Sequence, residues 1–256
     1  MQYAMSTNKK AFEPDDDVNV EAEVQVRCTA AVPPPVPRML QASATLPTFS
    51  EEQVAVLAKA TSSQALNTVW KEQRLGRITA SIVRSVLVRA KRLAKGETDF
   101  SDALVDTIMG RKTVPENLPA IKYGIQNEPV ARESYLSYMH GLGHTDLTVE
   151  QTGLIVKKDK VFIGASPDGL VHCPCCTPSH GILEIKCPLS IAHSDPRSTP
   201  PAYLTRQDGQ LSLKKNHSYY SQIQLQLAVK EAAWCDFYVF TKMGQHMERI
   251  FPDPAH

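Results

Sequence analysis

The spacing of apolar positions changes twice along the chain. Ser50-Glu-Glu-Gln53 sets a hydroxyl three residues before a glutamine and opens an apolar stripe through Val54, Leu57 and Ala58, which predicts a capped helix. Thr79 stands where it would cap a second helix over 80–95, with Ile82, Val83, Val86, Leu87 and Ala90 on one face and Arg84, Lys91 and Lys95 off it. Asn127 with Pro129 just behind it reads as the opening of a third helix over 127–139. The pattern then shortens to branched runs at 149–156, 160–166, 169–173 and 181–187, separated by the turn signals KKDK, PDG and PSHG, which predict a meander of strands. Residues 218–231 mix strand-like alternation at Ile223, Leu225, Leu227 and Val229 with helix formers, and are assigned to a helix. WCDFYVFTK and GQHMERIF close the chain as a hairpin around Met243 and Gly244. Helices, a meander, a helix and a hairpin predict an α/β sandwich with a mixed sheet flanked by helices.

Composition changes this picture mainly at the start. Residues 1–45 combine an acidic stretch (Glu13, Asp15, Asp16, Asp17, Glu21, Glu23) with VPPPVP at 32–37, and are read as a flexible leader before a domain over 46–256. Hydrophobic residues at 42% and charged residues at 21% exclude a disordered chain or a coiled coil. No apolar run approaches a membrane span and the start lacks the core of a signal peptide, so an intracellular protein without membrane attachment is expected. The net charge of +1 means that affinity for nucleic acid must come from local clustering. Such a cluster exists: Lys71, Arg74, Arg77, Arg84, Arg89, Lys91, Arg92 and Lys95 fall within 25 residues against the single acid Glu72. It suits either a solvated face or a phosphate-contacting surface.

The chemistry-bearing residues lie in the predicted meander. Asp168 ends one strand at Ser166-Pro-Asp-Gly169, and Glu184 and Lys186 share one face of the apolar strand ILEIKCP, leaving Ile185 for the core. A charged pair on an apolar strand is costly to bury without a partner. Two carboxylates and a lysine suit metal-dependent phosphodiester hydrolysis, although a turn aspartate beside an ion pair two residues apart gives the same spacing. In the same region Cys173 and Cys176 form C-x2-C with His180 following and His172 and Cys187 flanking, a spacing suited to a small zinc knuckle or to reduced cysteines in a loop.

Pro167-Asp168 and Glu184-x-Lys186 together resemble the signature of the PD-(D/E)xK nucleases. Around them the chain resembles the YqaJ-type viral recombinase family that includes lambda phage exonuclease. Five blocks carry the resemblance in order over about 66–250: Arg74-Leu-Gly-Arg-Ile-Thr-Ala-Ser81, Tyr123-Gly-Ile-Gln-Asn-Glu128 with Ala131-Arg132, Ser166-Pro-Asp-Gly-Leu170, Leu183-Glu-Ile-Lys-Cys-Pro188, and Gln222-Ile-Gln224. The resemblance implies a restriction-endonuclease-like core. It implies Asp168, Glu184 and the Ile185 carbonyl as ligands of Mg²⁺ or Mn²⁺, Lys186 positioning water, and Glu128 and Gln222 completing the site. Arg74, Ser81 and Ser166 would hold a terminal 5′-phosphate, as expected of a 5′-to-3′ exonuclease that acts on linear duplex ends in recombination. A DNA-end-binding module that no longer cleaves is the alternative, and an interaction protein organised by zinc is a third. The resemblance leaves room for a single-strand annealing protein or a second copy of the chain as partner. Two departures stand out: the insert HCPCCTPSHG, and an ending at ERIFPDPAH where the family usually continues, which suits a shortened member or a fragment.

Overall fold

The computed structural model describes residues 30–43, 45–98, 101–112, 115 and 117–256. Helices α1 (Val36–Ala42), α2 (Glu51–Ala60) and α3 (Thr68–Arg74) lead into strand β1 (Ile78–Thr79), followed by α4 (Val83–Leu93), α5 (Ala103–Ile108) and the long α6 (Pro119–Gly141). Strands β2 (Thr148–Glu150), β3 (Ile155–Lys157), β4 (Lys160–Ala165), β5 (Gly169–His172) and β6 (His180–Lys186) come next. A hairpin of β7 (Leu204–Gln207) and β8 (Gln210–Leu213), helix α7 (Ser218–Lys230) and the closing pair β9 (Cys235–Thr241) and β10 (Gly244–Ile250) complete the order.

The main sheet has the order β10-β9-β6-β5-β2, with β6 and β9 parallel and the other neighbours antiparallel. Parallel neighbours need a crossover, and α7 lies within the one that joins β6 to β9. Strand alternation then sorts the core. Ile182, Cys235, Phe237 and Val239 pack with Ile223 and Leu227 of α7, whereas Leu183, Ile185, Trp234 and Tyr238 pack with Ala131, Tyr135 and Met139 of α6. Both faces of β6 are therefore covered, and five of its seven residues are buried. A second sheet, β1-β4-β3, packs α1 and α2 through Met39, Leu57, Leu154, Val156 and Val161.

The capping box at Ser50 forms: its hydroxyl accepts from Gln53 N at 3.1 Å and Gln53 Oε1 accepts from Ser50 N at 2.9 Å. Three sequence expectations need correction. Thr79 does not cap α4, because it pairs with Gly164 as the end of β1 and a 3-10 turn at 80–82 intervenes. Asn127 is not a cap either. Pro119 opens α6 eight residues earlier, the Asn127 amide donates to Tyr123 O within the helix at 2.8 Å, and Pro129 sits in the helix interior. The apolar stripe Ala131, Tyr135 and Met139 fixes α6 against the sheet in spite of the hydrogen bond that Pro129 removes. Finally, the segment read as a leader contains α1, whose Val36 and Met39 are buried, while its acidic stretch at 13–23 lies outside the described residues. The β7–β8 hairpin was not expected, although its Asp208-Gly209 turn, with φ of 51° and 80°, carries the Asp-Gly signal of a two-residue type I′ turn. Among the described residues no helix is long and apolar enough to cross a membrane.

Gly181 lets β6 pass under the Trp234 ring, where an added Cβ would stand 2.2 Å from ring carbon. Gly181→Ala is expected to cost about 1–3 kcal/mol by overpacking, measured as a lower urea midpoint at unchanged slope.

Candidate active site

Three elements bring carboxylates together. Asp168 immediately precedes β5, its main-chain N donating to Leu183 O at 3.0 Å, and its Oδ2 accepts from Ile185 N at 2.6 Å, so the side chain is pinned to β6. Glu184 points from β6 towards α7 and is 1% exposed. Its Oε1 accepts from Lys186 Nζ and from Gln222 Nε2 (2.6 Å), and its Oε2 accepts from Gln226 Nε2 (2.6 Å). Glu128 reaches in from α6 and pairs with Arg132 at 2.8 Å, and Arg132 also donates to the main-chain carbonyl of Asp168 at 2.9 Å. The pairing of Glu128 with Arg132 thus ties α6 to the turn that presents Asp168.

The electrostatics follow from this crowding. Loss of water, with Glu184 and Glu128 close by, pushes the Asp168 carboxyl well above the usual carboxylate range. Burial also raises Glu128, against the lowering effect of Arg132. Burial alone would lower the Lys186 ammonium, but Glu184 and Asp168 outweigh it and hold the group above its ordinary value, so Lys186 is a cation and a donor at neutral pH. Its ammonium lies 4.6 Å from the centre of the Tyr219 ring. Cys187, at the same end of β6, is pushed up to about 12 by burial and by Glu128 and Asp168, and stays a neutral thiol. The carboxylate oxygens of Asp168, Glu184 and Glu128 are hard donors of the kind that a divalent cation takes.

A second group joins Arg74, Ser81 and Ser166. Arg74 Nη2 donates to Ser81 Oγ at 3.0 Å, and its guanidinium lies 4.1 Å over the Trp70 ring. Trp70 Nε1 donates to Ser166 Oγ at 3.0 Å. Burial lowers Arg74 to about 10, which leaves it charged. A cavity of about 240 Å³ beside it is lined by Trp70, Arg74, Arg77, Thr79 and Lys112 among others. Arg77, counted in the basic run, is fully buried and donates to Val161 O at 2.7 Å and to Gln73, so it braces α3 against β4 instead of facing solvent.

Trp70, Tyr219 and Gln226 escaped the sequence reading. Tyr219, Gln222 and Gln226 stand at i, i+3 and i+7 on α7, a helical spacing that would have found them, whereas Gln224 points away and donates to Phe251 O at 3.1 Å. Of the residues in the zinc reading, the structure sets His180 apart from Cys173 and Cys176. His180 pairs across the hairpin with His172, their rings 4.6 Å apart on the exposed face, while Cys173 faces inward and meets Cys175 and His144. Cys187 lies at the opposite end of β6, with the acids.

A mixed sheet covered on both faces, with an aspartate at the mouth of one strand and Glu-x-Lys on its neighbour, defines the PD-(D/E)xK class. Within it the chain belongs to the family of the YqaJ-like viral recombinase domain, whose model matches residues 69–233. No curated protein sequence matches the chain significantly. Among solved structures it is similar to an alkaline exonuclease (LHK-Exo) from Laribacter hongkongensis, with 27% identity, a TM-score of 0.47, and 73% of this chain and 82% of that one covered. It is also similar to the shutoff and exonuclease protein from Kaposi's sarcoma-associated herpesvirus, with 17% identity, a TM-score of 0.44, and coverage of 75% and 61%.

The raised Asp168 carboxyl gives a test with a definite sign. Such a group favours the folded state while it is protonated, and that advantage is lost as pH rises from about 3.9, the unfolded value, through the folded one. Asp168→Asn is therefore expected to melt higher than wild type at pH 7 in EDTA, by about 2–4 °C for each kcal/mol recovered, with the two curves converging towards pH 4. Mg²⁺ or Mn²⁺ should raise the wild-type midpoint more than that of the variant.

Proposed function

We propose that the chain is a divalent-metal-dependent deoxyribonuclease that digests linear duplex DNA from the 5′ end in recombination or end processing. The observation that carries this reading is the clustering of Asp168, Glu184, Glu128 and Lys186 near enough for their charges to act on one another, with three carboxylates against two cations, Arg132 and Lys186. A divalent cation there supplies charge for the scissile phosphate and lowers the proton affinity of water. The remaining work falls to the chain. Asp168 is oriented by Ile185 N and Glu184 by Gln222 and Gln226, so neither has to reorganise during the reaction. Lys186 keeps its proton and holds the attacking water by donation. The proton that water gives up passes to the carboxylate cluster as the P–O bond to the 3′ oxygen breaks, and the departing 3′ oxygen takes a proton from solvent, leaving a 3′-hydroxyl and a 5′-phosphate.

Direction rests on the second group. Arg74 with the Ser81 and Ser166 hydroxyls offers a charge-assisted set of donors for a terminal 5′-phosphate. The exposed bases of α4, Lys91 and Arg92 among them, would track the duplex backbone without regard to its end.

End-labelled linear duplex incubated with Mg²⁺ or with EDTA tests the whole reading. Stepwise 5′ shortening is expected only with Mg²⁺, and Asp168→Ala should abolish it while duplex binding persists. Lys186→Ala should slow it about 10²–10³-fold. Binding to ends without any cleavage by wild type would make the protein an end-binding module instead.

A separate comparison addresses direction. Wild type should degrade 5′-phosphorylated ends faster than 5′-hydroxyl ends, and Arg74→Ala should lose most of that preference, a change of about tenfold or more for one charged hydrogen bond. Equal rates on both ends by wild type, or cutting of closed circles, would place the activity with endonucleases.

A further inference from the structure

The insert between β5 and β6 gathers a group of side chains that the acid site does not use. Cys173 Sγ lies 3.2 Å from Cys175 Sγ and 3.4 Å from His144 Nδ1, while Cys175 Sγ and Cys176 Sγ lie 3.1 Å and 3.7 Å from the same nitrogen. All four ligand atoms fall within 4.8 Å of one another, and the three cysteines are free thiols. A tetrahedron with Zn–S bonds of about 2.3 Å has edges of about 3.7 Å, so the observed separations are those of one coordination sphere. The turn backbone sets this up: Cys173 N donates to Ser179 O at 2.8 Å and Cys176 N to Cys173 O at 3.0 Å, folding the Cys-Pro-Cys-Cys run so that its sulfurs converge. The fourth member arrives from the end of α6, where His144 N donates to Met139 O at 3.1 Å just after Gly143, whose φ of 94° reverses the chain.

A second, independent feature points to an anionic centre. Arg249 of β10 approaches Cys176 Sγ with its Nη1 at 3.5 Å, and it is held there from the other side. Asp236 accepts from its Nε at 2.8 Å and its Nη2 at 2.9 Å, and Trp234 stacks under it at 3.7 Å. A guanidinium locked beside a thiol sulfur is the outer-shell partner that a metal thiolate uses.

We propose that His144, Cys173, Cys175 and Cys176 bind one zinc ion as a structural Cys3His centre. Four protein ligands fill a tetrahedral shell and leave no open position, which separates this centre from the acid site in role as well as in place. Binding releases three thiol protons and leaves a complex of charge −1, three thiolates and a neutral imidazole around Zn²⁺, which the Arg249 guanidinium faces. Five residues of extended chain separate Cys173 from Asp168, about 17 Å at 3.4 Å per residue. The ion would fasten the C-terminal end of α6 to the β5–β6 turn, the distal ends of the two elements that present Glu128 and Glu184.

The full chain, purified reduced and without chelator, is expected to carry about one zinc per molecule by metal analysis. Replacing zinc by Co²⁺ should give thiolate-to-cobalt charge transfer and tetrahedral d–d bands. Cys173→Ser, Cys176→Ser and His144→Ala should each lose most of the metal, while His180→Ala retains it. The cobalt spectrum of the unaltered protein keeps the test decisive if a cysteine variant misfolds. Neither readout depends on cleavage of DNA, so nuclease failure and zinc failure are distinguishable. Absence of zinc together with absence of a cobalt–thiolate band, iron in place of zinc, or metal lost in His180→Ala but kept in His144→Ala would overturn the proposal. So would a metal-free protein in which air oxidation removes two titratable thiols.

Discussion

A carboxylate in the middle of a covered sheet is the constraint on which the rest of the structure depends. Glu184 sits on β6 between two helices, where water cannot solvate it, and a bare charge there would cost several kcal/mol. It is tolerated because Lys186, Gln222 and Gln226 together donate to both of its oxygens. Those donors belong to β6 itself and to α7, so satisfying the charge also fixes the rotation of α7 about its axis and the register of its packing on the sheet. The apolar contacts of Ile223 and Leu227 with Phe237 and Val239 then follow on the same helix.

A second buried carboxylate shows what distinguishes a site from a brace. Asp236, on the α6 face of β9, accepts two donors from Arg249 and one from Tyr135 OH at 2.7 Å, one negative charge against one positive. Those two charges balance each other, and Arg249 still reaches Cys176 Sγ with its Nη1 at 3.5 Å. Around Glu184 the count is three carboxylates, with Asp168 and Glu128, against two cations, and the Asp168 carboxyl is raised by its burial first and by the charges of Glu184 and Glu128 after it. An unbalanced buried cluster is unstable as a structural device, and the surplus has the sign that a bound cation answers.

How much of this could be read from the chain alone depended on whether the signal was local. The Glu184-x-Lys186 face, the Ile185 core position, α7 and the closing hairpin are all statements about periodicity within one element, and the structure agrees with them. The start of α6 is not settled by local signals because Pro119 and Pro129 both fit a helix opening, and the structure carries the helix through both of them. Thr79 failed as a cap because a strand partner 85 residues away, Gly164, took its backbone. His144 could not be found by spacing at all, since it reaches the cysteines only through the reversal that ends α6. Among the acids, Asp168 and Glu184 were legible as a pattern, but the bridge of Arg132 from Glu128 to the Asp168 carbonyl exists only in three dimensions.

The segment Ser166-Pro167-Asp168 places the serine that meets Trp70 and a member of the acid cluster two residues apart on one stiff stretch of chain. Trp70 grips Ser166, Gln64 donates to the Pro167 carbonyl at 2.9 Å, and Ile185 grips Asp168. The span between the two side chains, about 7 Å of extended backbone, is thus set by covalent bonds and not by the packing of separate elements. The segment works as a ruler between the Trp70 group and the acid cluster.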